Sequence, residues 1–295
     1  MTDVVRTFDR TADVPKLVGY NSRGVEFRWE LFERAIARIP AGSRVLDFGA
    51  GSLRESHELV RRGFSVTSVD LDEATLRSYL ADYVWPGPAP ELVTGPEAID
   101  RLQGPFSLIL LFDVIEHLAE PEPLLARLAS LLEPGGLIFC SVPNRYSLWE
   151  IAARLNWKTA LAFGRPIRPG EPHIQFKSGR EWRRLFEAAG FRVADHEMAL
   201  GFFVNNASAI VDVPLRLGGR ILRSVSGARA TPQTLTDTPL GRKVMRGLDR
   251  LDKRTPALRP LYGSNLFVLE WASSPAASRE TWAGELAEKT IAAAG

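Results

Sequence analysis

The stretch Val45-Leu-Asp-Phe-Gly-Ala-Gly-Ser52 constrains this chain more than any other. A short apolar strand pattern, Arg44–Phe48, runs straight into two glycines one residue apart, and a helical pattern follows at Glu55–Arg62. Gly49 and Gly51 carry no Cβ, so the backbone there can turn sharply and lie against a ligand. In an open α/β sheet such a ligand sits outside the carboxyl ends of the strands. Asp47, two residues before the first glycine, can accept a charge-assisted hydrogen bond from an ammonium group.

Around this bend, strand and helix patterns alternate. Ser65–Val69 reads as a second strand ending at Asp70, Glu73–Asp82 as a helix and Leu92–Thr94 as a weak third strand. Phe106–Phe112 (FSLILLF) is apolar enough to be buried on both faces, as a central strand is. Pro121–Leu132 reads as a helix, and Gly135-Gly136 turns the chain into a fifth strand, Leu137–Val142. Ser178–Ala189 reads as an amphipathic helix closed by Gly190, with strands expected at Phe191–His196 and Leu266–Trp271. The expected fold is α/β and Rossmann-like: a seven-stranded, mostly parallel sheet with helices on both faces and a helical insertion before the last strand. The corresponding units are an N-terminal helical cap over 1–40, a ligand-binding core over 41–200, the insertion over 201–262, the last strand over 263–273 and a tail over 274–295.

Asp70 lies at the second strand's tip, about 20 residues beyond the glycines, where a carboxylate suits the two hydroxyls of an adenosine ribose. A dinucleotide-binding fingerprint would want a third glycine at position 54, which is Arg54 here. The tight helix approach of a pyrophosphate cradle is therefore missing, and nicotinamide or flavin chemistry is disfavoured.

Val45–Ser52 resembles the first motif of class I S-adenosylmethionine-dependent methyltransferases. Ser65–Asp70, Phe106–Leu118 (FSLILLFDVIEHL) and Leu131–Val142 (LLEPGGLIFCSV) resemble that family's second-, fourth- and fifth-strand motifs. His173–Phe191 is similar to the segment that follows in the quinone-biosynthesis O-methyltransferases of the methyltransferase type 11 group. The resemblance covers about residues 40–197 and the terminal strand. It implies a transferase that uses S-adenosyl-L-methionine, releases S-adenosyl-L-homocysteine and methylates a small or amphipathic acceptor, on oxygen, with nitrogen or carbon as the alternative. By the same resemblance Gly49, Ala50 and Gly51 cradle the methionine end of the cofactor, Asp47 holds its amino group, Asp70 takes the ribose, and Leu71 packs on the adenine. Asp113 lines the transfer site. The family often has an acid directly after a glycine beyond the third strand, but the run here is Gly95-Pro96-Glu97, so either Glu97 substitutes from one place further on or that contact is absent. Asp113 is equally placed to cap the next helix, with Glu116 in the reciprocal position. A non-catalytic module that binds the cofactor is the reading from a different class, and the joint presence of Asp47, Gly49, Gly51 and Asp70 argues against it.

Methyl transfer from a sulfonium needs mainly proximity, plus a base when the acceptor carries a proton. Two of the four histidines are candidates, His117 after the fourth strand and His173 after a proline-rich approach. Asp113, Glu116, His117 and His173 also resemble the divalent-metal set of small-RNA 2′-O-methyltransferases and of some quinone O-methyltransferases. The first acid of that set is a glutamate in the family and one methylene shorter here. Metal dependence is therefore disfavoured.

The insertion begins apolar, as in Leu200, Phe202, Phe203, Val204 and Ile210, and turns basic, as in Arg242, Lys243, Arg246, Arg250, Lys253 and Arg254. It reads as a cap over an apolar acceptor pocket, or as a surface for an anionic or amphipathic partner such as a lipid headgroup or acidic carrier. A nucleic-acid partner is disfavoured, because no aromatics interleave with the basic residues and the net charge is only +2. Met1–Lys16 lacks the apolar core of a secretory signal, and no uncharged apolar run is long enough to span a bilayer. The one cysteine, Cys140, lies in an apolar run and reads as a buried thiol. A cytoplasmic protein is expected.

Overall fold

The computed structural model describes residues 29–148, 150–151, 154, 173–206 and 239–272. The proline-rich approach to His173, residues 207–238, and both ends of the chain lie outside the described residues.

The alternation expected from the sequence is what forms. In chain order come α1 (Trp29–Ile36), β1 (Arg44–Phe48), α2 (Arg54–Arg61), β2 (Ser65–Asp70), α3 (Glu73–Asp82) and β3 (Glu91–Thr94). Then follow α4 (Ala98–Arg101), β4 (Phe106–Phe112), a 3₁₀ turn (Ile115–His117), α5 (Glu122–Ser130) and β5 (Leu132–Pro143). After the next gap come α6 (Gly179–Ala188), β6 (Phe191–Ala199), α7 (Phe202–Asn205), α8 (Pro239–Arg254), a second 3₁₀ turn (Pro256–Leu261) and β7 (Ser264–Trp271). The sheet order is β3-β2-β1-β4-β5-β7-β6. Its pairs from β3 to β5 are parallel, and β7 runs antiparallel between β5 and β6.

Alternate residues of the central strands feed two cores. On one face Leu46, Ile109, Leu111 and Ile138 pack with Leu125 and Leu128 of α5 and with Trp182 and Phe186 of α6. On the other, Val45, Leu108, Leu110 and Phe139 pack with Leu31 and Phe32 of α1 and Leu59 of α2. Leu108 to Leu111 are all fully buried, each worth about 1.5–3 kcal/mol relative to exposure, so β4 anchors the molecule from both sides. Cys140 is buried in the first core, and burial pushes its thiol well above the usual range. An unreactive structural thiol is the result.

Two elements differ from expectation in an instructive way. β5 begins five residues earlier than Leu137, because Leu132 already pairs with Phe106. Pro134-Gly135-Gly136 is thus an irregularity inside the strand pairing, with Gly135 at φ +82°, and not a turn ahead of it. β6 runs on past His196 to Ala199. Asp195, inside the expected strand, and Glu197, just beyond it, both meet Arg34 of α1 from this edge strand.

Candidate active site

The carboxyl tips of β1, β2 and β4 build the cleft. The N–H groups of Gly49 and Ala50 both donate to the Val69 carbonyl, at 2.8 and 2.9 Å. The Gly51 N–H donates to Asp70 Oδ2 at 2.9 Å, and the Asp72 N–H donates to Asp70 Oδ1 at 3.1 Å. The bend is therefore stitched to the end of β2, and Asp70 is the residue that closes the stitch.

Each glycine has its own reason. At Gly49 φ is +79°, and a Cβ would stand 2.4 Å from Val114 Cγ2, so the residue after Asp113 occupies the space a side chain would need. At Gly51 φ is +46°, and a Cβ would meet only the Gly49 carbonyl oxygen at 3.9 Å. Gly51 thus leaves open space above the bend, the kind of surface a ligand can lie against. Leu53 follows in the same left-handed region at φ 56° with its side chain fully buried.

Asp47 is 2% exposed and accepts from Ser56 Oγ at 2.5 Å, and that hydroxyl also lies 2.7 Å from Ser68 Oγ. Burial first, and then the negative charge of Glu55, raise its carboxyl to about 7. Leu71 is 74% exposed at the tip of β2, among the most solvent-facing large apolar side chains described. Thr94 pairs with Asp70, which puts the exposed Glu97 three residues beyond that tip, at the start of α4.

Asp113 turns the chain out of β4 at φ 54°. Its N–H donates to the Ser141 carbonyl, and its Oδ1 accepts from Ser141 Oγ, both at 2.9 Å. The capping-box alternative does not form, because Val114 occupies the cap position of the following 3₁₀ turn and no side chain caps it. Aspartate is one of the few residues that tolerate this conformation, whose cost is about 1–2 kcal/mol for other side chains.

The histidines lie together. His117 and His173 meet edge to face with ring centres 5.0 Å apart. Ligand atoms of Glu116, His117 and His173 all fall within 4.8 Å of one another, with Glu116 fully buried. Asp113 is not part of that set. The backbone holds the group in place, since the Ile174 and Gln175 N–H groups both donate to the Glu116 carbonyl, at 2.8 and 2.9 Å. Sequence reasoning missed Glu150, which is 2% exposed and places Oε1 2.8 Å from His173 Nδ1. It also missed Ser56, the buried partner of Asp47. Neither had a signal of its own: Glu150 sits in a segment that reads only as rich in tryptophan and arginine, and Ser56 looks like any small helix residue.

The methyltransferase-domain family matches residues 22–196, more than half of the chain and the whole of this cleft. The chain belongs to that family. The likeness to class I methyltransferases drawn from the motifs therefore holds for family and for fold. The ubiquinone biosynthesis O-methyltransferase of Caulobacter vibrioides is 34% identical over 116 residues, 37% of this chain and 44% of that protein. Its counterpart from Aeromonas salmonicida is 28% identical over 52% of this chain and 65% of that protein. The chain thus spans less than two thirds of these relatives. In fold it is similar to a methyltransferase of Thiobacillus denitrificans solved with S-adenosyl-L-homocysteine, at TM-score 0.50 and 18% identity over 88% of this chain and 98% of that one. A putative methyltransferase solved with the Haloferax volcanii Trm112 activator gives TM-score 0.51 and 19% identity over 90% and 98%.

Proposed function

We propose that this methyltransferase-family member uses S-adenosyl-L-methionine and methylates an oxygen of a small or amphipathic acceptor. The observation that carries the reading is the cleft itself: an open-faced glycine bend fastened to Asp70, beside exposed Leu71, leading across Val114 to a pair of histidines. The residues fit that cofactor. Open space lies over Gly51, carboxylates stand at two strand tips, and an unburied leucine waits at the adenine position. When bound, the cofactor supplies a methyl group on a sulfonium.

The chain's own residues then have distinct tasks. Asp47 receives the amino group, Asp70 the ribose hydroxyls, and Leu71 with Glu97 the adenine edge. Asp113, held by Ser141, shapes the wall where the acceptor approaches. The Glu150 carboxylate, 2.8 Å from His173 Nδ1, favours a proton on that nitrogen, which would leave Nε2 as the basic one. His173 takes the acceptor's hydroxyl proton there, and His117 orients it from the side. Tyr146, Leu148 and Ile174 are 49%, 44% and 47% exposed near these residues in the chain, which favours an acceptor with an apolar part. The oxygen preference follows the ubiquinone biosynthesis relatives.

Isothermal titration with S-adenosylmethionine, followed by transfer of labelled methyl to a panel of phenols, catechols and amines, tests this. Saturable binding and label on an oxygen are expected, with His173→Ala lowering kcat and sparing donor affinity. Label on amines alone moves the acceptor atom to nitrogen. Absence of donor binding would leave a family member that has lost the chemistry.

The compactness of Glu116, His117 and His173 favours one second reading, a divalent cation held by those three. Such an ion would polarise the acceptor oxygen and lower its proton affinity. Titrating Mg²⁺, Mn²⁺ or Zn²⁺ into chelator-treated protein decides between them. Saturable heat that His117→Ala abolishes supports the metal, and turnover that survives EDTA removes it.

A further inference from the structure

Outside the cleft, α8 presents an outer face that the transfer chemistry does not use. Residues 239–263 hold seven Lys and Arg against two acids, Asp249 and Asp252. Neither acid offsets the outer face. Asp249 pairs with Lys253 at 3.2 Å, and Asp252 is 2% exposed, turned inward onto the Phe203 and Val204 N–H groups at 3.0 and 3.1 Å. Val244 and Leu251, two turns apart, are 43% and 44% exposed on one stripe of the helix. One position back around the helix, exposed Lys243, Arg246 and Arg250 form a basic row beside that stripe.

The helix is also fixed to the working end of the molecule. Asn144, the first residue after β5, donates from Nδ2 to the carbonyls of Pro260 and Tyr262, both at 2.8 Å. The Tyr262 hydroxyl donates to the Asp252 carbonyl at 2.9 Å. α8 therefore rides on the same end of the sheet as the cleft.

We propose that α8 docks the protein on an anionic lipid bilayer, lying in the headgroup plane with its basic row on lipid phosphates and Val244 and Leu251 entering the acyl boundary. An amphipathic helix with a positive polar flank and exposed apolar residues has the build of an interfacial element. Charge complementarity selects the occupant, because the face is too basic for a second copy of itself and carries too little apolar surface for a neutral bilayer. The proposal uses no step of the methyl transfer, so vesicle binding and turnover can fail separately.

The test is co-sedimentation of the full chain with vesicles of phosphatidylcholine alone or with about a quarter phosphatidylglycerol, at about 0.1 M and about 0.5 M salt. Binding to the anionic vesicles only, weakened at least roughly tenfold by the higher salt, is expected. Arg246→Glu with Arg250→Glu should abolish it, and Val244→Ser with Leu251→Ser should weaken it about fivefold or more. An unchanged melting temperature for both double variants shows that they fold. Equal binding to both vesicle types, no binding to either, or full binding by the Arg246→Glu/Arg250→Glu variant overturns the proposal. Binding to soluble polyglutamate but not to vesicles overturns it in favour of an acidic macromolecule.

Discussion

Asp47 shows how burial converts a residue's identity into behaviour. Its carboxyl stands near 7, raised by loss of solvent, so the folded protein holds a proton there that the unfolded chain has already released between about 4 and 7. Relative to the unfolded chain, that contribution to stability is full below the unfolded value and is lost as pH rises through about 7. An ammonium ligand wants the charged carboxylate. Donor affinity should therefore fall as pH drops below about 7, and Asp47→Asn should flatten this dependence in titrations at a series of pH values. Gly51→Ala separates folding from binding. The new Cβ meets nothing closer than 3.9 Å, so its cost is the left-handed strain of about 1 kcal/mol, yet it fills the space above the bend. The melting temperature should move by a few degrees while donor affinity falls tenfold or more. Gly49→Ala, with a clash at 2.4 Å, should lose both. At this scale the positions of Asp47 and Asp70 on their strands and of Gly49 and Gly51 in the bend were legible, because strand-tip acids and paired glycines are bound to sequence position. The left-handed Leu53 and Asp113 and the contact between Glu150 and His173 were not, since each depends on what packs across the sheet.

Among elements, α6 owes its start to a reciprocal cap that the sequence spells out. Ser178 and Glu181 exchange side-chain and backbone bonds, and Arg145 from the segment after β5 joins Glu181 at 2.8 Å. The Ser178 bonds, with Arg145 after them, hold the Glu181 carboxyl down at about 2. Its contribution is present above the usual glutamate range and disappears as pH falls toward 2. Ser178→Ala should cost about 1 kcal/mol in denaturant melts. Asp252 does for α7 what Ser178 does for α6, but from another helix, 48 residues on from Val204. Asp252→Ala strips the partner from two N–H groups at once and should cost about 2 kcal/mol or more, loosening α8 while leaving donor affinity intact. The apolar run Phe106–Phe112 placed its strand to the residue. The pairing of α7 with α8 had no local signature, because the bond that makes it joins residues far apart in the chain.

The whole molecule divides its labour between the two halves of the sheet. The half from β3 to β4 carries the expected donor residues and leads into His117, and the half from β5 to β6 carries the connections that hold His173 and α8. Anything that binds only the folded state stabilises it by mass action, so S-adenosylhomocysteine at about a hundredfold over its Kd should add about 2.7 kcal/mol and raise the melting temperature by several degrees. Among the described residues no helix is long and apolar enough to cross a membrane.

One reversal of direction has a wider consequence. Since β7 starts where its neighbours finish, the connection between β6 and β7 must leave and re-enter at the rim of the cleft, however long it grows. The glycine bend lies outside that connection, so a graft with cuts at Leu200 and Gly263, which the chain already joins by a 2.7 Å backbone bond, should leave the fold of the bend and its strands undisturbed.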